Sequence, residues 1–204
     1  GDDGSVTVAG TYGGWAKFDS GGADHQLSWS TLTNDANRLW LLGVGPGGTI
    51  SWSQAVGLGR TLPATMDGSL SGALATAGSV DRRPRDLRPG PGVDTHRPDG
   101  RDAYVASVAR DGSYRGATIF GGSGDASVSV VTTDHRDGSL VVVGDFSGVI
   151  DADPGPGEDL RVATSARDLF VVRLAEYFVD EDEHLPTVHP ARAQGVRRDS
   201  ERGR

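Results

Sequence analysis

Three copies of the tripeptide Asp-Gly-Ser are each followed by an alternating run rich in β-branched residues, and they constrain the fold more than any other feature. The copies begin at Asp3, Asp67 and Asp137, so they are spaced 64 and 70 residues apart. A second phrase, an aromatic residue flanked by aliphatic ones, is spaced 64 and 66 residues apart. Its aromatic residues are Trp40, Tyr104 and Phe170. Two marks that repeat in step indicate one supersecondary unit built three times.

The repeat also predicts which residues are equivalent. A glycine follows each Asp-Gly-Ser copy, eleven residues after its Asp. We therefore expect these three glycines, Gly14, Gly78 and Gly148, to occupy equivalent bends. We expect the three aromatic residues of the second phrase to occupy equivalent buried positions.

The unit is predicted to contain four strands. Residues 127–133 alternate with the period of a half-buried strand, and residues 134–138 form a turn with a glycine available for positive φ. Residues 139–146 form a nearly continuous apolar strand, and residues 169–174 form a third. The middle copy adds a fourth strand at residues 114–120. The unit thus has two tight hairpins and one long, variable connection between its second and third strands.

Four-stranded antiparallel units in tandem are typical of β-propellers. The sequence therefore predicts an all-β, partial (open) propeller of about three four-stranded antiparallel blades, with roughly ten strands present. The predicted blades are residues 1–57, which lack the first strand, 58–122, and 123–175, which lack the last strand. The charged residues 176–204 are predicted to be a disordered tail.

The third copy resembles the bacterial β-propeller repeat family abbreviated SBBP. It reads Asp-Gly-Ser-Leu-Val-Val-Val-Gly-Asp-Phe-Ser-Gly, then an Asp-Pro-Gly loop, then Asp-Leu-Phe-Val-Val-Arg-Leu. The resemblance covers residues 3–175, although the first copy lacks the Asp-Pro-Gly loop and the second has Arg88 in place of its Asp. It implies a propeller in a secreted or cell-surface bacterial protein, often a scaffold, and it implies no catalytic residue.

Four carboxylates on one Gly/Pro-rich loop are the candidate metal ligands. Asp151, Asp153, Glu158 and Asp159 lie within nine residues, and hard cations such as Ca²⁺ bind several converging oxygens. Their order does not match that of an EF-hand loop, and a solvated surface loop also accounts for them. We therefore expect no cofactor, with Ca²⁺ kept as the alternative.

A glycine-rich run at residues 43–48 matches the dinucleotide-binding pattern Gly-x-Gly-x-x-Gly. Such a site needs a helix that begins at the loop, so that its first N–H groups meet the pyrophosphate. Residues 49–53 instead have the pattern of a strand. The sequence therefore predicts a hairpin turn here.

Charge and hydropathy exclude two classes of partner. The formal net charge of −8 argues against general nucleic-acid binding, which needs clustered basic charge. The longest apolar runs are too short to span a bilayer. The remaining expectation is a protein or carbohydrate partner, bound by the connections at residues 19–37, 81–101 and 151–167, which would form one rim.

The expected function is a non-catalytic scaffold or interaction module of an exported or cell-surface bacterial protein. One alternative is part of a propeller enzyme, a hydrolase or lyase, with its active site in the central channel. Another is a gene fragment that does not fold alone. A closed propeller needs about four to eight blades, so we expect further blades from sequence outside this chain.

Overall fold

The computed structural model describes residues 3–12, 15–19, 24–28, 38–56, 63–68, 73–82, 85–88 and 94–175. Every helix or strand found in these segments is a β-strand, which confirms the all-β prediction. The same segments contain no helix long and apolar enough to cross a membrane. Gly14 and the predicted tail, residues 176–204, lie outside the described residues.

The strands follow one another at short intervals. In chain order they are β1 (Val6–Tyr12), β2 (Trp15–Asp19), β3 (Asp24–Ser28), β4 (Arg38–Val44), β5 (Ile50–Val56), β6 (Pro63–Gly68), β7 (Leu74–Val80), β8 (Arg85–Asp86), β9 (Thr95–His96), β10 (Asp102–Val108), β11 (Tyr114–Phe120), β12 (Ala126–Thr133), β13 (Leu140–Phe146), β14 (Val149–Asp151), β15 (Leu160–Val162) and β16 (Asp168–Leu174).

Ten of these strands form three antiparallel sheets. Sheet 1 has the order β1-β4-β5, sheet 2 has β6-β7-β10-β11, and sheet 3 has β12-β13-β16. Among the described residues only sheet 2 therefore shows all four predicted strands. In each unit the long connection folds into a two-stranded hairpin, β2-β3, β8-β9 or β14-β15. We call these three the connecting hairpins; the sequence predicted the connections but not their pairing.

Sheet 2 lies between the other two sheets. Successive side chains of a strand point to opposite faces, so neighbouring residues of β10 contact different sheets. Tyr104 of β10 is fully buried in an apolar cluster with Leu39 and Leu41 of sheet 1. Its neighbour Val105 is fully buried in a second cluster, with Val142 and other residues of sheet 3. The core is thus two apolar layers, one on each face of sheet 2.

Cross-strand pairing places the three aromatic residues at equivalent positions, each opposite a glycine. Trp40 pairs with Gly10, Tyr104 with Gly78, and Phe170 with Gly144. A Cβ on Gly10 would overlap the indole of Trp40. A Cβ on Gly144 would likewise overlap the Phe170 ring, so in sheets 1 and 3 the aromatic ring covers the glycine across the sheet. Tyr104 and Phe170 are buried, whereas Trp40 is half-buried.

The prediction that Gly78 and Gly148 occupy equivalent bends is wrong. Gly78 lies inside β7, opposite Tyr104. Gly148 lies after β13, with a φ of 60°. The two are therefore not equivalent. The position that matches Gly78 in sheet 3 is Gly144, and in sheet 1 it is Gly10.

The distance from Asp-Gly-Ser to the next strand varies, and this explains why the tripeptide does not identify equivalent glycines. Val6 and Leu140, which begin β1 and β13, each follow the Asp of the tripeptide by three residues, whereas Leu74, which begins β7, follows Asp67 by seven. A fourth copy, residues 111–113, lies in the tight turn that joins β10 to β11, whereas Asp67 and Gly68 of the second copy are the last residues of β6. In the copies that lie in tight turns the glycine supplies a positive φ, 85° at Gly112 and 75° at Gly138.

The glycine-rich run at residues 43–48 is the turn between β4 and β5, as predicted. Gly48 donates its N–H to the carbonyl oxygen of Gly45 at 2.9 Å and has a φ of 79°. A strand follows the turn, so the chain offers no helix N-terminus for a pyrophosphate here.

Polar contacts also join neighbouring sheets. The indole N–H of Trp52 in sheet 1 donates to the carbonyl oxygen of Arg110 after β10 at 2.8 Å. Between sheets 2 and 3, the Asp67 carboxylate accepts the backbone N–H of Thr133 at 2.7 Å and the hydroxyl of Thr132 at 3.1 Å. These bonds fix the relative positions of adjacent sheets.

Candidate functional site

Two of the connecting hairpins share one hydrogen-bonded frame. In β8-β9, Oδ1 of Asp86 accepts the backbone N–H groups of Arg88 at 3.0 Å and Asp94 at 2.9 Å. In β14-β15, Oδ1 of Asp151 accepts those of Asp153 at 3.0 Å and Asp159 at 2.9 Å. Asp is suited to this role because its short carboxylate reaches the backbone N–H two residues on. We call Asp86 and Asp151 the bracing aspartates.

The backbone pairing of the two frames is also the same. Leu87 donates its N–H to the carbonyl oxygen of Asp94 at 2.9 Å, and Ala152 donates to that of Asp159 at 3.0 Å. Each residue after the bracing aspartate is buried, Leu87 between sheets 1 and 2 and Ala152 between sheets 2 and 3. The base of each hairpin is therefore anchored in the core.

The first connecting hairpin has fewer residues between its two strands: four separate Asp19 from Asp24, whereas eight separate Asp86 from Thr95 and Asp151 from Leu160. Its β2 also ends on an aspartate, Asp19, which pairs with Asp24 at the start of β3. The ring centroid of Phe18 lies 4.9 Å from that of Trp40 on sheet 1. The first copy also lacks the Asp-Pro-Gly sequence that the third copy carries between its two hairpin strands.

Although the frames of β8-β9 and β14-β15 match, the side chains they carry differ. Two residues after the bracing aspartate, one hairpin has Arg88 and the other has Asp153. At the first position of the returning strand, Thr95 corresponds to Leu160. One repeated frame thus presents a different chemical surface in each unit.

The surface of β8-β9 is a polar cluster that ties the hairpin to β11. The Tyr114 hydroxyl donates to Oδ2 of Asp94. Nε2 of His96 lies 3.0 Å from Oδ1 of the same carboxylate. The Arg88 guanidinium carbon lies 5.4 Å from the centroid of the Tyr114 ring, within range of a cation–π interaction. Asp94 and Tyr114 are 20 residues apart in the sequence, so only folding brings this cluster together.

The electrostatics of this cluster favour a structural role for Tyr114. Burial, the hydrogen bond to Asp94 and the charge of Asp94 together raise the pKa of Tyr114 above its usual value. The phenol therefore stays protonated at neutral pH and acts as a donor to Asp94. A phenol held in this form is a poor general base or nucleophile.

Two further groups have pKa values raised by burial, and both lie within sheet 2. Burial raises the pKa of Asp102 and of Tyr104. Asp102 begins β10 and accepts the backbone N–H of Asp99 at 3.2 Å. These groups are part of the interior of the fold and are separate from the connecting hairpins.

Three of the four candidate metal ligands are engaged within their own hairpin. Besides the bracing role of Asp151, Oδ1 of Asp153 accepts the N–H of Gly155 at 2.8 Å. Oδ2 of Asp159 pairs with Arg161 at 2.8 Å, and Glu158 is exposed. Across the described segments, no three His, Cys, Asp or Glu side chains are grouped in a way that could hold a metal ion. The structure therefore does not bring these four carboxylates together as one ligand set.

The third hairpin instead exposes an apolar stripe. Leu160 and Val162 are 58% and 67% exposed. They lie two residues apart on β15, so their side chains share one face of the hairpin. Exposed aliphatic side chains gain free energy when a partner covers them.

A comparison with family models, curated proteins and solved structures finds no match to this chain. The resemblance to the SBBP repeats therefore rests on the sequence motifs alone.

Proposed function

We propose that sheets 1 to 3 are consecutive blades of a β-propeller, and that the chain is a non-catalytic interaction module whose connecting hairpins bind a partner. Within each sheet, strands adjacent in the sheet follow in chain order. Adjacent sheets share apolar layers, and β12 of sheet 3 lies against β6 and β7 of sheet 2. These features are typical of neighbouring propeller blades.

The observation that carries the binding function is the repeated frame with different side chains. A bracing aspartate and a buried anchor hold the base of each of two hairpins to the core, so the side chains that flank the brace are presented in a fixed arrangement. Binding costs less entropy when the contact surface is already ordered. Such a frame allows the contact residues to vary without altering the sheets.

The chemistry of the third hairpin favours a protein partner. Leu160 and Val162 provide adjacent aliphatic contacts, and Arg161 between them is half exposed and paired with Asp159. Apolar side chains rimmed by charges are typical of protein-binding surfaces. Sugars are bound mainly by hydrogen bonds and aromatic stacking, so a carbohydrate partner would engage other residues.

The resemblance to the SBBP repeats supports an exported or cell-surface bacterial protein. Fractionation of the producing bacterium, with an antibody against the chain, tests this proposal. Recovery in the cytoplasm alone would contradict it.

The binding proposal is tested with a displayed peptide library and a glycan array, probed with the purified chain. We expect peptide ligands whose affinity falls about tenfold or more on double substitution of Leu160→Ser and Val162→Ser. Met66→Ser is the matched control, because Met66 is 37% exposed on β6, away from the connecting hairpins. Circular dichroism establishes that both variants fold.

Two results would count against the proposal. Ligands whose affinity is unaffected by substitutions in all three connecting hairpins would show that binding occurs elsewhere. Turnover of a panel of chromogenic ester and glycoside substrates would favour the propeller-enzyme alternative.

A further inference from the structure

The outer face of sheet 1 is exposed where the same face of the other sheets is buried. Val6 and Val8 of β1 are 55% and 40% exposed. The register of β1 on β4, of β7 on β10 and of β13 on β16 shows which positions are equivalent. Val6 corresponds to Leu74 of β7 and Leu140 of β13, and Val8 corresponds to Thr76 and Val142. Those four residues are 8%, 8%, 2% and 0% exposed, respectively. We call the face that carries these positions the front face of each sheet.

The opposite face of sheet 3 is likewise exposed at positions that are buried in the other two sheets. Leu169 of β16 is 75% exposed, whereas the equivalent Ala103 and Leu39 are fully buried. Val130 of β12, which pairs with Val143, is 45% exposed. We call the face that carries these positions the back face of each sheet. Among the described residues, then, the front face of sheet 1 is uncovered at Val6 and Val8 of β1, and the back face of sheet 3 is uncovered at Val130 and Leu169.

Inside the chain, a back face packs on a front face twice. Leu39 and Leu41, on the back of sheet 1, share a cluster with Leu74 and Tyr104 on the front of sheet 2. Ala77 and Val105, on the back of sheet 2, share a cluster with the front-face residues of sheet 3. The two uncovered faces are therefore the two halves of a contact that this fold already forms twice.

We propose that a second copy of this chain covers both faces. The front face of sheet 1 in each copy packs on the back face of sheet 3 in the other, so that two copies close a ring of six sheets. A head-to-tail contact of this kind closes into a ring when its rotation returns to the start. Six lies within the four to eight blades of closed propellers. The inference rests on the propeller arrangement proposed above and not on what the connecting hairpins bind.

The expected association is measured on the full chain by light scattering after size-exclusion chromatography. We expect a mass about twice 21.2 kDa, which dissociates on dilution. Val8→Lys on the front face and Leu169→Glu on the back face should each give monomer, because either charge would be buried without a partner. Both side chains are exposed in one copy, so neither substitution should unfold it.

Mixing the two variants separates a head-to-tail ring from other dimers. In an equimolar mixture, one interface joins the unsubstituted Val8 and Leu169 faces, and the other joins the introduced lysine with the introduced glutamate. The dimer should therefore return. Val162→Glu, on an exposed position outside both faces, is the matched control and should remain dimeric.

Three outcomes would overturn the inference. The first is a wild-type chain that stays monomeric at its highest soluble concentration. The second is a dimer that only one of the two substitutions disrupts, because a symmetric front-to-front or back-to-back contact behaves in that way. The third is a mixture that stays monomeric although circular dichroism shows both variants folded. A monomer that still binds ligands through its connecting hairpins would leave the proposed function intact.

Discussion

Gly144 in β13 lies directly opposite Phe170 in β16, and a Cβ on Gly144 would overlap both the Phe170 ring and the carbonyl oxygen of Ser127. The glycine is thus required by the close approach of its neighbours. The same pairing occurs between Gly10 and Trp40. It is a feature of the repeating unit and yields a direct test of the register.

Substituting Gly144→Ala should destabilise the fold, because the added methyl group has no space between β12 and the Phe170 ring. Overpacking of this kind costs about 1–3 kcal/mol. Gly47→Ala is the control, since a Cβ there would meet nothing within 4 Å. Urea denaturation of both variants measures the difference. Equal stabilities would show that the register of β13 against β16 is different.

Phe170→Ala should lower the free energy of unfolding by more than a substitution at an exposed position. Phe170 is 6% exposed, and its ring centroid lies 6.0 Å from that of Phe120 and 6.4 Å from that of Phe146. Removing a buried phenylalanine costs about 3–5 kcal/mol. Leu160→Ala, at an exposed position, should change the free energy of unfolding by less than about 0.5 kcal/mol. Thermal and urea unfolding measure both changes. Similar losses of stability for Phe170→Ala and Leu160→Ala would contradict the packing of sheets 2 and 3.

The sequence predicted the strands well because their periodicity comes from burial, which local pattern reports directly. Residues 139–146 were predicted as a strand and β13 spans Leu140–Phe146. The glycine alignment failed because Asp-Gly-Ser specifies a turn, and the distance from a turn to the next strand can vary. The register of paired strands cannot vary in this way, since a shift of one residue would turn every side chain to the other face.

The bracing aspartates show a second limit of sequence reasoning. Asp86 and Asp151 hold identical positions in their hairpins, but their flanking residues, Arg85 and Leu87 against Ile150 and Ala152, share little beyond bulk or apolarity. The Asp-Pro-Gly motif drew attention to Asp153, which is the residue replaced by Arg88. The brace is defined by backbone N–H groups two and eight residues away, and only the folded hairpin brings these together.

Asp151→Ala should loosen the third connecting hairpin while the sheets remain folded. The substitution leaves the N–H groups of Asp153 and Asp159 without their acceptor, a local loss of about 1–2 kcal/mol. Hydrogen exchange at these two amides should become faster. Asp151→Asn retains a carbonyl oxygen and should have a smaller effect, and Glu158→Ala should have none. Uniform protection in all three variants would show that the brace is unimportant.

The turn before β13 should make stability depend on pH in a defined window. Hydrogen bonds from the Ser139 hydroxyl and backbone N–H, followed by the bond from Arg173, lower the pKa of Asp137 from 3.8 to about 2. Because the folded state holds this carboxylate ionised, its contribution to stability is fully present above the unfolded pKa. That contribution is lost as pH falls from 3.8 towards about 2.

Ser139→Ala removes the hydroxyl that donates to Oδ1 of Asp137 at 2.7 Å. The pKa of Asp137 should then rise towards its ordinary value. The free energy of unfolding should fall less steeply over the same acidic window, because the ionised carboxylate contributes less to it. Ser113→Ala is the matched control: its hydroxyl donates to Asp111 at 2.6 Å in the turn between β10 and β11, and it should shift the pKa of Asp111 alone. Carboxyl chemical shifts followed by NMR titration measure both values. If Ser139→Ala left the pKa of Asp137 unchanged, the shift would have to come from the backbone N–H of residue 139 and from Arg173, and Arg173→Ala should then reduce it.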